Sequence, residues 1–486
     1  MERTAWLGFE DLQTGLGAAL AANRPGSRTE HVLVAMPSYS LGESLLSHYA
    51  SRIPALEHRY LVAQLMLHRI PTCEMVFLSC QAPDPEVLEH YVSLVPEHLR
   101  PGVRARFRAV TVPDYSPRSM AAKLLDHPEV LEELRASFGG RPAFIEPWNV
   151  TAAEVEVAER LQAPVNGTAP DLWPLGFKAA GRRLLRSAGV PVPPGSEDVR
   201  DVDGVVAAVA GIRAVDPATT GVVVKLDDSG SGVGNAVLDL VSPAGTATDE
   251  DVRTWAGSLP DAFRRQLGDG GVVEQLVSDE SLTSPSVQVD VRPDGEVVVL
   301  ATHEQVLDGH VYLGCRFPAD PAYAVELARH GRAVGERLAG RGVVGRFSVD
   351  FVAVPEGTGG WRLLALEINL RKGGTTHPYA VLRNLVPGAY DEGLGRWVAE
   401  DGRSRSYVAT DNLVDPDWLG LPPAAVVAAV DRAGLGYDRE HGSGVVLHML
   451  SCLAIDGRFG LTAIGHTPAE AERLHAATSD AVHRIR

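Results

Sequence analysis

At 486 residues the chain is long enough for two or three domains, each with its own core. Its 45% hydrophobic and 22% charged content are ordinary for a soluble globular protein, and a formal net charge of −17 argues against general affinity for nucleic acid or an anionic membrane. Cys73, Cys80, Cys315 and Cys452 are too scattered for a disulfide framework and read as buried thiols in a reducing compartment. No stretch is long and apolar enough to span a bilayer. The first residues (MERTAWLGFEDLQTG) carry early acids and no sustained apolar core, so no secretory leader is expected and the protein reads as cytoplasmic.

The first part of the chain alternates short apolar runs with helical patterns. His31–Met36 reads as a buried strand running into the turn Pro37–Ser40, and Glu74–Cys80, Ala105–Val112 and Ala143–Glu146 read as further strands. Helical stretches lie between them, among them Tyr60–His68 and Val130–Ser137. Residues 1–168 are therefore expected to form a parallel α/β domain. Leu175–Ala188 is helical in pattern and stops at Gly189, after which Val190–Pro194 forces extended chain. From Gly221 to Leu300 the text is strand-rich, and Phe347–Val354 with Arg362–Ile368 reads as a later strand pair. In the tail, Val445–Ile455 and Phe459–Ile464 predict a hairpin around Asp456-Gly457. A helix follows, opened by Thr467-Pro-Ala-Glu470 in capping-box form.

Two segments carry chemistry. In GVVVKLDDSGSGVGNAVLDL a strand delivers Lys225, a small-residue loop follows, and AVLDL leaves as a second strand. Glycines let loop amides approach phosphate oxygens, and a lysine supplies the countercharge. Taken alone, the loop reads equally well as a flexible hairpin tip. A dinucleotide fold would need a helix after Asn235, and no GxxxxGK[ST] loop is present. In the second segment, Gly345–His377, Asp350 lies on one strand while Glu367 and Asn369 lie two apart on the next, hence on one face. A hairpin would unite them as a hard-oxygen set suited to magnesium. Arg371-Lys372 follows at once, able to hold a carboxylate or steady an oxyanion. Val272–Val277 (VVEQLV) is by itself an ordinary strand.

The order of these pieces resembles the ATP-grasp family of carboxylate–amine ligases, over about Asp171 to Tyr379. The whole chain looks closest to the pheganomycin-type peptide ligases of specialised, antibiotic-like metabolism. The resemblance implies a pre-ATP-grasp α/β domain over 1–168, an ATP-grasp fold of two α+β subdomains over 169–390, and a small C-terminal α+β domain over 391–486. It implies that Lys178 and Lys225 hold the phosphates of ATP and that the loop of Ser229, Gly230, Ser231, Gly232 and Gly234 closes over them. Gln275, Leu276 and Val277 would meet adenine through backbone groups, with Glu274 beside it and Glu280 toward the ribose. Asp350, Glu367 and Asn369 would bind Mg2+, and Arg371, with Lys372, would support an acyl phosphate and the tetrahedral species that follows it. One departure stands out: a branch of the family has an arginine two residues before the first metal-binding aspartate, where this chain has Ser348, with Arg346 further back.

The implied reaction joins an amino-acid-like acid to a peptide or other amine acceptor, in a protein that is often a homodimer. No covalent nucleophile is needed, in keeping with the lack of a GxSxG elbow. His303-Glu304 begins like a zinc-protease motif, but Leu307 stands where the second histidine belongs. Glu304, Arg316 and His377 read first as structural or rim residues and second as lining of the acceptor side. The rival readings are a different ATP-grasp reaction, a single-amino-acid ligase, a non-catalytic ATP-binding regulatory protein, and a dinucleotide-dependent dehydrogenase.

Overall fold

The computed structural model describes residues 6–40, 46–47, 49–229, 234–242, 245–279, 281–309, 311–357 and 359–485. The first unit is a parallel sheet in the order β3-β2-β1-β4, formed by β1 (His31–Met36), β2 (Cys73–Ser79), β3 (Phe107–Thr111) and β4 (Ala143–Pro147). β1 is buried along its whole length, as a strand covered on both faces must be. The helical stretch expected over Tyr60–His68 is a 3-10 helix, Arg59–His68.

A second, antiparallel sheet has the order β5-β10-β6-β7: β5 (Gly195–Ser196), β6 (Gly221–Leu226), β7 (Asn235–Asp239) and β10 (Gly271–Gln275). A small hairpin of β8 (Val241–Ser242) and β9 (Gly245–Thr246) follows β7. Because Asn235–Asp239 is a strand paired back onto β6, the loop after Lys225 does not open a helix, and the dinucleotide-fold reading is excluded.

The largest sheet has ten strands: β11 (Pro285–Val291), β12 (Val297–Asp308), β13 (Val311–Phe317), β14 (Gly345–Glu356), β15 (Gly360–Asn369), β16 (Gly388–Asp391), β17 (Arg396–Ala399), β18 (Ser404–Val414), β19 (Gly444–His448) and β20 (Arg458–Gly465). Its main path runs β15-β14-β11-β12-β13-β18-β17-β16, with β20 beside β18 and β19 beside β20. The helix Ala324–Ala339 packs on β11 and β12, where Gly331 and Gly335 leave room for Val287 and Val297.

The tail corrects two expectations. β13 pairs with β18, so the C-terminal part continues the central sheet, and the boundary expected at 390/391 falls inside β16. The β19–β20 pairing exists, but Asp456-Gly457 is not its two-residue turn: β19 ends at His448, and the helical turns Leu450–Cys452 and Leu453–Asp456 precede β20. The final helix begins as expected, with Thr467 Oγ1 accepting from Glu470 N–H at 3.2 Å, while the Glu470 carboxylate accepts from His466 N–H rather than from Thr467. All four cysteines are buried and unpaired, and among the described residues no helix is long and apolar enough to cross a membrane.

Candidate active site

Strand register assembles the oxygen set. Asp350 sits opposite Glu367 across the β14–β15 pair and Ser348 sits opposite Asn369, so the three predicted ligands share one face, next to a register shift after Asp350. The Asn369 amide donates to Asp350 Oδ2 (2.9 Å) and Glu367 Oε1 (3.3 Å). From β12, across β11, Gln305 donates to Asp350 Oδ1 (2.9 Å). Gln305, which closes the polar run 302–305 of β12, was not among the expected residues.

The two carboxylates are pushed apart electrostatically. Burial, and then the neighbouring Glu367 carboxylate, push Asp350 up to about 6. Burial works in the same direction on Glu367, but Lys178, then Lys225 and Arg371, hold it down to about 2. Two facing carboxylates and a side-chain amide, whose oxygen and nitrogen can exchange by a flip, fit a hard divalent cation. A cation would relieve the repulsion that raises Asp350.

The helix Lys178–Ser187 brings the first lysine in. Asp227, just past Lys225, accepts from Lys178 N–H through its backbone oxygen (3.1 Å) and from Ala179 N–H through its carboxylate (2.6 Å), tying the start of that helix to the end of β6. The Lys178 ammonium pairs with Glu367. Lys225 Nζ lies 2.5 Å from Glu274 Oε2, the two side chains being diagonal across the β6–β10 pair. Arg182, one helical turn beyond Lys178, lies 2.7 Å from Glu274 Oε1 and 3.0 Å from Glu197. Glu274 is therefore the buried hub of an ion cluster rather than a polar rim.

The remaining predicted residues fall as follows. Gln275 donates its side chain to Asp216 (2.6 Å) and Thr219 (3.1 Å), and its N–H to Pro194. Leu276 N–H goes to Gly221, so the expected backbone donors at 275 and 276 are already engaged; Val277 follows the end of β10. Ser229 Oγ donates to Leu226 O (2.7 Å), and Gly234, with φ +92°, returns the loop to β7. Gly230, Ser231, Gly232 and Glu280 lie outside the described residues.

Arg371 and Lys372 diverge. Arg371 is half-buried and feels both Glu367 and Asp350. Lys372 turns to the first unit, pairing with Glu146 at 2.8 Å and donating to Pro147 O, away from the oxygen set. Glu304 accepts from Tyr323 (2.5 Å) and Asp320 N–H, Arg316 pairs with Glu472 at the exposed surface, and His377 meets Asp411 at 2.9 Å.

The family described as IQCH-like, ATP-grasp matches residues 244–372, and the PGM1 C-terminal domain matches 425–478. An L-propargylglycine–L-glutamate ligase of Streptantibioticus cattleyicolor is 33% identical over 417 residues, covering 83% of this chain and 84% of that protein. An IQ motif-containing protein H of Danio rerio is 26% identical over 286 residues, 49% of this chain and 27% of that protein. Among solved structures, a biotin carboxylase from Campylobacter jejuni superposes with TM-score 0.58 at 13% identity, over 93% of this chain and 94% of that one. An ADP complex of N5-carboxyaminoimidazole ribonucleotide synthetase does so with TM-score 0.54 at 14% identity, over 95% and 99%. These structural likenesses are of fold, while the identity and coverage of the curated relative show descent: the chain belongs to the ATP-grasp family of carboxylate–amine ligases.

Proposed function

We propose that the protein is an ADP-forming amide ligase that activates the carboxylate of one amino-acid-like substrate and transfers the acyl group to the amine of another. The observation that carries this reading is the cationic ring of Lys178, Lys225 and Arg371 around the Glu367 carboxylate, beside Asp350 and Asn369. Pure nucleotide binding needs phosphate countercharges but no third cation beside the oxygen set. That third cation, Arg371, favours catalysis over a regulatory role.

In the proposed reaction a donor carboxylate oxygen attacks the γ-phosphorus of ATP, the bond to the β-phosphate oxygen breaks, and ADP leaves. The amine nitrogen then attacks the acyl carbon, the carbon–oxygen bond to phosphate breaks, and the amine loses a proton as phosphate departs. Asp350, Glu367 and Asn369 would hold magnesium, which would supply charge neutralisation at the phosphates. Lys178 and Lys225 exchange their carboxylate partners for phosphate oxygens, and the loop from Ser229 to Gly234 excludes water that would hydrolyse the acyl phosphate. Val277 is the expected backbone donor to the purine. Arg371 steadies the oxyanion of the tetrahedral species. Lys372, tied to Glu146, positions the segment that carries Arg371.

The relative named for L-propargylglycine and L-glutamate supports a single amino acid as acceptor, in preference to a peptide. The test is phosphate and ADP release from Mg-ATP by the purified protein with amino acids and short peptides offered in pairs, beside Glu367→Ala. Turnover requiring both an acid and an amine, and lost in the variant and in EDTA, is expected. ATP hydrolysis with no need for an amine would sink the ligase reading.

A further inference from the structure

Gln288 sits on the face of the sheet that carries the oxygen set. On β11, Ser286 lies opposite Asp350 and Gln288 opposite Ser348, and on the far side of β14 the same two rows end in Glu367 and Asn369. Residues two apart on a strand share a face, so Gln288 belongs to the row beside the two carboxylates. It is only 2% exposed, and its side-chain oxygen is buried with no hydrogen-bond partner among the described residues. Burying a half-satisfied amide costs stability, and an apolar side chain would fill the same space without that cost. The packing of the sheet therefore gives no reason for a glutamine here.

The reason lies in what its amide nitrogen holds. Gln288 donates to Thr375 Oγ1 (3.1 Å) and Thr376 Oγ1 (3.3 Å), at the start of the helix Thr376–Leu385. Thr375 stands at the N-cap, where a threonine hydroxyl ordinarily accepts from the first N–H groups of its own helix, yet it makes no capping bond. Its hydroxyl serves Gln288 instead. Thr376 Oγ1 also accepts from Gly373 N–H, and Thr376 N–H donates to Gly373 O, both at 3.1 Å, which closes the turn just beyond Arg371 and Lys372.

That turn needs holding from outside. Gly373 and Gly374 contribute no stiffness of their own. On the Arg371 side, Lys372 is tied to the first unit through Glu146 (2.8 Å) and through its N–H to Trp148 O (3.2 Å). At the other end, Gln288 ties Thr375 and Thr376 to β11. From β13 the ring of Tyr312 closes on Gly374, where an added Cβ would strike it.

We infer that Gln288 is a positioning residue of the candidate site: by holding the hydroxyls of Thr375 and Thr376 it fixes the segment that carries Arg371. The inference rests on the ligase reading for the reaction that Arg371 serves, but the tether itself is measurable in the ligand-free protein.

The experiment uses the full chain as wild type, Gln288→Met, Thr376→Val, Thr376→Ser, Arg371→Lys and the double variant Gln288→Met/Arg371→Lys. Methionine keeps the volume of Gln288 and removes the amide; valine and serine at 376 remove and keep the hydroxyl. Turnover is measured with whichever substrate pair supports ADP release, beside thermal unfolding and hydrogen exchange of the 371–376 backbone. Expected is a fall in kcat of ~10-fold or more in Gln288→Met and Thr376→Val, with KM for ATP within ~2-fold of wild type and most of the loss recovered in Thr376→Ser. In the Arg371→Lys background, Gln288→Met should cost ~2-fold or less, because a residue that acts through Arg371 has little left to disturb. Gln288→Met should melt no lower than wild type while exchange over 371–376 quickens ~10-fold or more. Unchanged exchange over 371–376, a full additional loss in the double variant, or a melting temperature and turnover that fall together would overturn the inference. Should Gln288→Met fail to fold, Thr376→Val and Thr376→Ser decide it by the same exchange and kcat comparison. Faster exchange over 371–376 in a protein that forms no ADP with any substrate pair would uphold the tether and reject the ligase reading instead.

Discussion

Glu274 holds two cations of the candidate site at once. Its two carboxylate oxygens are divided between Lys225 and Arg182, at 2.5 and 2.7 Å, and it is only 3% exposed. Removing one member of a buried ion cluster leaves the others uncompensated. Glu274→Ala is expected to cost about 3 kcal/mol of stability, read from urea unfolding. A loss below about 1 kcal/mol would mean that the cluster is solvated. The buried histidines make a second prediction. Burial lowers His303 and His448 to about 3 and His90 to about 4, from an ordinary value of 6.5. Between those values the unfolded chain binds protons that the folded one refuses, so the stability these groups contribute is complete above pH 6.5 and drains away as pH falls toward 4. Thermal unfolding midpoints measured from pH 7.5 to 4.5 should fall steadily below 6.5, and His90→Gln should flatten part of that slope.

At the scale of elements, the helix Ala324–Ala339 sits so close to the sheet that side chains are excluded at two positions. A Cβ added at Gly331 would lie 2.6 Å from Val287 Cγ2, and one at Gly335 would lie 2.5 Å from Val297 Cγ1. Gly331→Val should therefore destabilise by about 1–3 kcal/mol through overpacking, despite the better helix propensity of valine over glycine. Denaturant unfolding checks the sign, since propensity alone predicts a gain. Because β11 lies between β12 and β14, a shift of that helix would also disturb the strands that carry Gln305 and Asp350. Slower ATP turnover in Gly331→Val than its stability loss explains is expected.

At the scale of the whole molecule, first unit and tail are knotted together. Arg59, from the 3-10 helix of the first unit, lies 2.7 Å from Asp411 of β18, and the other oxygen of Asp411 faces His377 at 2.9 Å and His448 at 3.3 Å. These three acid and imidazole groups could enclose a metal ion, but the guanidinium already neutralises the carboxylate, and the cluster is read as a lock between parts. Residues 391–486 complete the central sheet through the β13–β18 pair. A chain ending at residue 390 should accordingly be insoluble or molten by circular dichroism and near-ultraviolet spectra, because it would expose the edge of β13 and strand Arg59 without its partner. A folded, cooperative fragment would refute the interlock.

Much of this was legible in the residues themselves. The strands of the first unit, the strand after Asn235 and the pairing of Asp350 with Glu367-x-Asn369 follow from local pattern: a period of two fixes which side chains share a face, and polar interruptions in apolar runs mark positions that need partners. Gln305 was not legible by that rule, because it follows Thr302, His303 and Glu304 instead of standing alone in an apolar run. What only the tertiary structure decided depends on contacts between distant segments. Glu274 as a hub needs Arg182, 92 positions away, and the direction of Lys372 depends on Glu146, 226 positions away. The continuity of the central sheet into the tail likewise depends on β13 meeting β18. Such partners are chosen by packing and burial across the folded chain, and a one-dimensional pattern holds the alternation of a strand but not the identity of its neighbour.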